Sequence, residues 1–395
     1  MNEETGLLHG QGGTVARNRC RPSQKLCYGL GHVYNDLCAS VWFSYTLFYF
    51  QIVLQMDSTT AGTLIMIGQV ADSLATPVAG WAVDSLGAPR AWHMTGTVLV
   101  TVGFTLIFAL EAKPFVFYAS LIIIFQIGWA LVQIAHLTII TIIAESNKHS
   151  SDLTAIRYTA TVCCNVFVYL LTWEILKNAP EGKAIGPYDF NRFKEIILIT
   201  TAIGVISSMF FYCGIDVRRP RNENNTIETR NFLKTLVIYQ VSVMYMSARL
   251  YSILNLIYIP LYLNERITKY NQESDSIRSS VAIIPLICFL TSFITSIILK
   301  YRPNVLSDKM IYLLGIVVAL IACLWIAFGV SASNAPIYAI ACLIGIGSSF
   351  TLIASLCLTA KIVSTNGFKG GSVYSTVTFT DKLVTGLLVF LIQNL

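Results

Sequence analysis

Long apolar windows that ionisable residues avoid dominate this chain. Eleven are read, at about Leu26–Leu54, Ala61–Val83, Trp92–Leu110, Phe115–Ala144, Leu153–Leu176, Phe193–Ile215, Phe232–Leu263, Ser280–Leu299, Met310–Val330, Ile337–Ala360 and Gly371–Leu395. Each approaches or exceeds the ~20 residues a helix needs to cross the hydrocarbon core. Inside hydrocarbon, backbone N–H and C=O groups must find partners within the chain, so such windows fold as helices. The fold class expected is an all-α, multi-pass membrane protein. Only 12% of the residues are charged, against about 25% in soluble domains.

Several classes of function are set aside at once. The net charge of +6 does not point to nucleic acid, because the basic residues lie in short loops, as the positive-inside rule requires. Cys38, Cys163, Cys164, Cys288, Cys323, Cys342 and Cys357 fall inside apolar windows and read as small packing residues. No nucleophile–base pair, phosphate loop or zinc spacing stands out. Neither an enzyme nor a resident cofactor is expected, and a coupling H+ or Na+ is the one small ion implied.

Residues 1–25 form a polar tail without signal-peptide character. Glu3, Leu7 and Leu8 there have the spacing of an acidic dileucine address, which adaptor-protein complexes read for lysosome-related compartments. The charged stretch 216–231 reads as a cytoplasmic linker between a six-span unit, 26–215, and a second unit, 232–395, with five spans. Lys and Arg concentrate on the side of the tail, so the N-terminus is expected in the cytoplasm. The sequon at Asn224 then also faces the cytoplasm and is expected to stay unused.

Two six-span units match the major facilitator architecture, in which solutes bind at the interface of the repeats. A twelfth span is missing after Gln393-Asn394-Leu395, and the chain reads as a truncated form. Gly80, Asp84, Gly87 and Arg90 have the spacing of that superfamily's cytoplasmic gating motif, with Ser85 where an Arg is usual.

The polar residues inside the windows carry the functional reading. His32, Asn35 and Asp36 share one face of the first span, at i, i+3 and i+4. Gln69, Asp72, Ser73 and Thr76 form a stripe on the second. A carboxylate deep in hydrocarbon costs roughly 2.5–3.5 kcal/mol on insertion scales, so it is paired or lines a pathway. Asp36 or Asp72 could carry a proton. Asp72 with Ser73, Thr76 and Asp36 could instead cage Na+, which wants several oxygens. Gln126, Trp129, Gln133 and His136 follow on the fourth span, where His136 is either a titrating group or a hydrogen-bonded structural one. Arg157 either snorkels to the interface or points inward to fork a carboxylate. Arg249 lies mid-span and needs an internal anionic partner. Asp381 and Lys382 are adjacent, so their side chains diverge and each pairs with a different helix.

Taken together, several stretches resemble the major facilitator domain-containing protein 12 subfamily. They are Asn35-Asp36-Leu37-Cys38-Ala39-Ser40, Gly68-Gln69-Val70-Ala71-Asp72, Thr76-Pro77, Phe125-Gln126-Ile127-Gly128-Trp129, Gln133-Ile134-Ala135-His136, Ala155-Ile156-Arg157-Tyr158 and Asp381-Lys382. More distantly the chain is similar to the glycoside-pentoside-hexuronide:cation symporters, which include the melibiose permease. The resemblance implies a lysosomal and melanosomal membrane protein that imports cysteine from the cytosol by alternating access, and so a part in pigmentation. Asp36 and Asp72 fall where the symporters keep acids for substrate and cation, and Arg157 and Lys382 near their conserved bases. Thr76 replaces their second acid on the same span, which weakens the case for sodium. Thr141-Ile142 stands where those symporters have Pro-Glu, with Glu145 three residues on.

The resulting expectation is a secondary transporter. Arg157 or Arg249 would hold the carboxylate of L-cysteine, and Asp36 or Asp72 its ammonium group. Two rivals remain: a cation-coupled symporter of a sugar or other polar solute, and a non-transporting truncated scaffold.

Overall fold

The computed structural model describes residues 22–111, 114–143, 147–177, 185–215, 235–270, 274–300, 307–328, 335–366 and 370–395. The tail with Glu3, Leu7 and Leu8, the segment 216–231 with its sequon, and Glu145 lie outside these residues. Eleven long helices succeed one another: α1 (Pro22–Phe48), α2 (Ser58–Leu86), α3 (Pro89–Ala109), α4 (Phe115–Ile143), α5 (Asn147–Lys177), α6 (Phe190–Gly214), α7 (Leu236–Tyr270), α8 (Ser274–Lys300), α9 (Asp308–Phe328), α10 (Ala335–Asn366) and α11 (Gly370–Gln393). A π-helical turn, Tyr49–Val53, extends α1. Most boundaries fall within a few residues of the apolar windows. The largest differences are in α5, α7, α8 and α10, which extend beyond the apolar stretch into polar residues.

Local chemistry sets the turns. The Asp57 carboxylate accepts the Thr60 N–H at 2.8 Å and caps α2, a standard way to satisfy an orphan helix donor. Gly87 has φ +66° and Ala88 φ +55° between α2 and α3. The left-handed region strains Ala far more than Gly, and Pro89 then opens α3 in the first turn, where its missing N–H costs nothing. Asp189 accepts the Gly186 N–H at 3.1 Å and pairs with Arg192 at the start of α6.

Between helices, packing depends on small residues. A Cβ added at Gly96 would lie 2.7 Å from the Gly128 carbonyl oxygen, so α3 and α4 touch backbone to backbone. Helices in lipid associate through such close approach, since burying apolar surface gains nothing there. The outward faces are apolar: Met94, Val98 and Val102 on α3, Ile206, Met209 and Phe210 on α6, Leu313, Val317 and Leu324 on α9 are all exposed. That is the pattern of a surface covered by lipid.

Among the described residues, seven helices are long and apolar enough to cross a membrane on composition alone. The other four, α1, α2, α7 and α11, are as long, and they carry Asp36, Asp72, Arg249, Asp381 and Lys382. Two of the contacts between the first six helices and the last five, α1 with α7 and α2 with α11, are made by these four helices.

The first six helices and the last five are called here the two wings; they touch where α1 meets α7, α2 meets α11 and α5 meets α8. One end of the bundle bears Pro22 and is called the near end; the other is the far end. A single apolar core holds the far end together, with Val41, Phe48 and Val53 of α1 in one cluster with Ile253 and Ile257 of α7, Ile284 of α8 and Ile340 of α10. At the near end the core divides. Tyr28, Ile139, Leu153 and Phe211 form a cluster of the first wing only, and Leu299, Ile311 and Ala354 one of the second only. Among the described residues one apolar cluster thus spans both wings at the far end, and separate clusters serve each wing at the near end.

Candidate functional site

Three polar assemblies lie on the inner helices, one in each wing and one between the wings. The first joins α1 to α5. Arg157 Nη2 lies 2.8 Å from His32 Nε2. Guanidinium only donates, so this imidazole nitrogen accepts and carries no proton. His32 Nδ1 lies 3.0 Å from Asp36 Oδ2, and the Thr161 hydroxyl donates to that same oxygen at 3.0 Å. One turn further, Ser40 donates to Asn165 Oδ1 at 2.8 Å, and Asn35 Nδ2 donates to the Trp129 carbonyl of α4 at 3.2 Å. The i, i+4 steps from Arg157 to Thr161 and Asn165 place these groups on one face of α5. Arg157 thus points inward, which decides between the two orientations that the sequence allowed. Asp36 Oδ1 and the remaining donors of Arg157 have no protein partner among the described residues.

The second assembly crosses from wing to wing. Lys382 Nζ of α11 lies 2.8 Å from Asp72 Oδ2 of α2 and donates to Thr76 Oγ1 at 3.1 Å. Thr76 in turn donates to the Asp72 carbonyl at 2.8 Å. An ammonium therefore sits among the oxygens that the sequence offered as a sodium cage. Asp36 is not part of that cage; it belongs to the α1–α5 assembly. Gln69, one turn away, packs against Gly386 of α11, where an added Cβ would come within 2.7 Å of the Gln69 Cβ.

The third assembly lies within the second wing. Arg249 Nε of α7 is 3.4 Å from Asp381 Oδ2 of α11. Adjacent residues on α11 thus serve different helices, Asp381 facing α7 and Lys382 facing α2. In total three carboxylates, Asp36, Asp72 and Asp381, are matched by three bases, Arg157, Arg249 and Lys382. A compensated set is the condition under which charges persist in a low-dielectric interior.

Other candidate residues lie elsewhere. His136 donates through Nε2 to the Tyr28 carbonyl at 2.9 Å, and its Nδ1 is 3.2 Å from the Tyr28 hydroxyl. The rings stack at 4.2 Å. His136 ties α4 to the near end of α1, away from Asp72 and Arg249. Gln133, one turn along α4, is half-buried. Gly80 meets no neighbour within 4 Å of an added Cβ, and the side chain of Asp84 lies outside the described set. Arg90 donates to the Ile215 carbonyl at 3.3 Å and to that of Tyr212. It therefore satisfies the C-terminal carbonyls of α6, a favourable place for a cation. Its partners, like α2 itself, belong to the first wing.

Two groups received no role from the sequence, although one of them, His93, lies in Ala91-Trp92-His93, a further stretch that carries the family resemblance. His93 donates through Nε2 to the Gly31 carbonyl at 3.0 Å, and its Nδ1 lies 2.8 Å from the Tyr212 hydroxyl. At the far end, Gln51 bonds Gln393, which donates to the Tyr258 hydroxyl at 3.1 Å. That chain joins α1, α11 and α7 across the wings. Its only sequence signal is glutamine within an apolar window.

The comparisons with known proteins agree with this architecture. Residues 27–395 match the family model described as MFS/sugar transport protein. The chain is 32% identical to major facilitator superfamily domain-containing protein 12 of Equus caballus, over 94% of this chain and 84% of that one. It is also 32% identical to the Homo sapiens protein of the same name, with the same coverage. In fold, it superposes on the nucleoside transporter NupG with a TM-score of 0.69, covering 95% of this chain and 91% of that one at 12% identity. The inward open conformation of the xylose transporter XylE from E. coli gives 0.69, with 94% and 89% covered at 11% identity. Family model, relatives and fold converge, and the chain belongs to the MFS/sugar transport protein family of the major facilitator superfamily.

Proposed function

We propose that this chain is a secondary transporter of a zwitterionic amino acid, with L-cysteine the favoured substrate, working by alternating access. The observation that carries the reading is the α1–α5 assembly, where a guanidinium and a carboxylate stand close together, each with groups that meet no partner among the described residues. An α-amino acid offers the matching pair, a carboxylate for Arg157 and an ammonium for Asp36 Oδ1. Arg249 and Asp72 are less suited to this task, because each already faces a charged protein partner. Cysteine itself is favoured by the family resemblance. An apolar core shared by both wings at the far end, with separate clusters at the near end, supports a state that loads from the side of the N-terminus. With the Lys and Arg bias, that side is the cytoplasm. Lysosomal or melanosomal residence follows from the resemblance and from the Glu3, Leu7, Leu8 address.

For coupling, Lys382 in the Asp72–Thr76 oxygen site favours H+ over Na+, since an internal ammonium already fills the position a sodium ion would take.

Uptake of radiolabelled cysteine into vesicles bearing the chain tests the reading. Uptake should saturate and should fall by about tenfold or more in Arg157→Ala and in Asp36→Asn, the loss of one charge-assisted contact each. Unchanged uptake in both variants would overturn it. A second reading, transport of a sugar, is favoured by the family description; it predicts that hexoses and pentoses compete with cysteine. Silence toward every solute, with normal sorting, would leave the scaffold.

A further inference from the structure

We infer that His32 is a positioning residue through which acidity releases the substrate. This rests on the reading of Arg157 as the carboxylate anchor. Arg157 can donate to His32 Nε2 only while that nitrogen is unprotonated. The 2.8 Å contact and an imidazolium are mutually exclusive, because two cations would face each other without an intervening anion. Protonation takes one H+ from the acidic compartment onto Nε2, and no other bond changes. The new imidazolium is held by Asp36 Oδ2, 3.0 Å from Nδ1. Arg157 loses its acceptor and is repelled from the place where it presents its remaining donors. Asp36 is drawn into a full ion pair and is less available to an ammonium group. Both ends of the amino-acid site weaken together.

The surroundings leave His32 as the group that answers. On α1 it faces Asp36 and, one turn back, Tyr28, and on α5 Arg157. On α4 the His136 ring lies 5.2 Å away, centre to centre. His93 of α3 stands behind, 5.9 Å from His136, with Tyr212 of α6 against it. His136 and His93 each use one nitrogen on a backbone carbonyl and the other on a tyrosine hydroxyl. Both nitrogens of each ring are thereby engaged by neutral partners. Among the described histidines, His32 is the one whose ring stands between a movable cation and a carboxylate. A carrier that loads at neutral pH and opens to an acidic lumen would in this way bind on one side and let go on the other.

The test is equilibrium binding of radiolabelled cysteine to the purified full chain at about pH 7.5 and about pH 5.5, the range in which imidazole changes charge. The native protein should bind about tenfold or more weakly at the lower pH, roughly one decade in Kd. In His32→Gln an amide oxygen can still accept from Arg157 but does not titrate. Whatever its affinity at neutral pH, the ratio between the two conditions should collapse toward one. Equal ratios in native and variant protein would overturn the inference while leaving cysteine as substrate. A substrate-free readout keeps the two questions apart. The 15N signal of the Arg157 Nη groups, assigned with Arg157→Lys, reports whether the guanidinium is held. It should be held at neutral pH and released in acid in the native chain, and held under both conditions in His32→Gln. Should cysteine fail to bind at either pH, the amino-acid reading falls and this signal alone decides the switch. A signal that ignores pH would overturn it.

Discussion

Lys382 of α11 lies 2.8 Å from Asp72 of α2, and its sequence neighbour Asp381 turns the other way, to Arg249. A helix places adjacent side chains about 100° apart, so one helix can hold both wings through two neighbouring residues. The arrangement makes α11 the element that any rocking of the wings must carry or release.

Removing one partner of this cross-wing pair should be costly. Lys382→Met leaves a buried carboxylate without its cation, and such a loss typically costs about 3–5 kcal/mol. The melting temperature in detergent should fall, and Asp72→Asn in the same chain should recover most of the loss. Sodium gives a second signature. Na+ should raise the melting temperature of Lys382→Met, by occupying the vacated oxygens of Asp72 and Thr76, and should leave the native protein unmoved.

The α2–α11 seam should also respond to bulk alone. A Cβ at Gly386 would fall 2.7 Å from the Gln69 Cβ, so Gly386→Val must push the helices apart. Overpacking of this kind costs about 1–3 kcal/mol. Here it should also lengthen the Lys382–Asp72 contact and lower uptake, whereas Gly80→Ala, which meets nothing, should change neither quantity.

His136 should behave as structure. His136→Phe keeps a ring against Tyr28 but removes both imidazole hydrogen bonds to that residue, each worth about 0.5–1.5 kcal/mol, and leaves the Tyr28 hydroxyl its 3.4 Å bond to the carbonyl of residue 136. A lower melting temperature is expected, together with an unaltered ratio of cysteine binding between neutral and acidic pH. A flattened ratio would instead place the acid response on His136.

At the far end, Asp57 supplies a pH dependence whose sign is fixed. The Thr60 hydroxyl and backbone N–H, both bonded to the Asp57 carboxylate, hold it below the usual carboxylate range. A depressed value in the folded state means stabilisation that is full above the unfolded value and is lost as pH falls through the folded one. The α2 cap should therefore survive mild acid and fade only below the ordinary carboxylate range. Melting of Asp57→Ala against the native chain should differ at neutral and at mildly acidic pH alike, and the difference should close as the pH falls below that range.

The candidate site was unequally legible in the sequence. Asp36, Asp72, Arg157, Arg249, Asp381 and Lys382 all stand out, because ionisable residues in apolar windows are rare. Their partners do not stand out. Arg157 could as well have reached the interface, and only its contact with His32 shows that it points inward. Asp72 could as well have joined Asp36 around an ion, and only the Lys382 contact separates them. His93, Tyr28 and Gln393 received no role because hydrogen-bonding side chains of modest polarity leave little mark in a hydropathy pattern.

What the sequence determined by itself is the set of helices and the few faces that cannot face lipid. Backbone hydrogen bonding in hydrocarbon leaves one secondary structure for a long apolar window, and the cost of burying charge marks the inner faces. The tertiary structure alone decided which acid meets which base, and at which end one apolar core spans both wings. Those relations join α2 to α11 and α1 to α5, across long stretches of chain. They depend on helix rotation and close packing at single residues such as Gly386, which no local periodicity records.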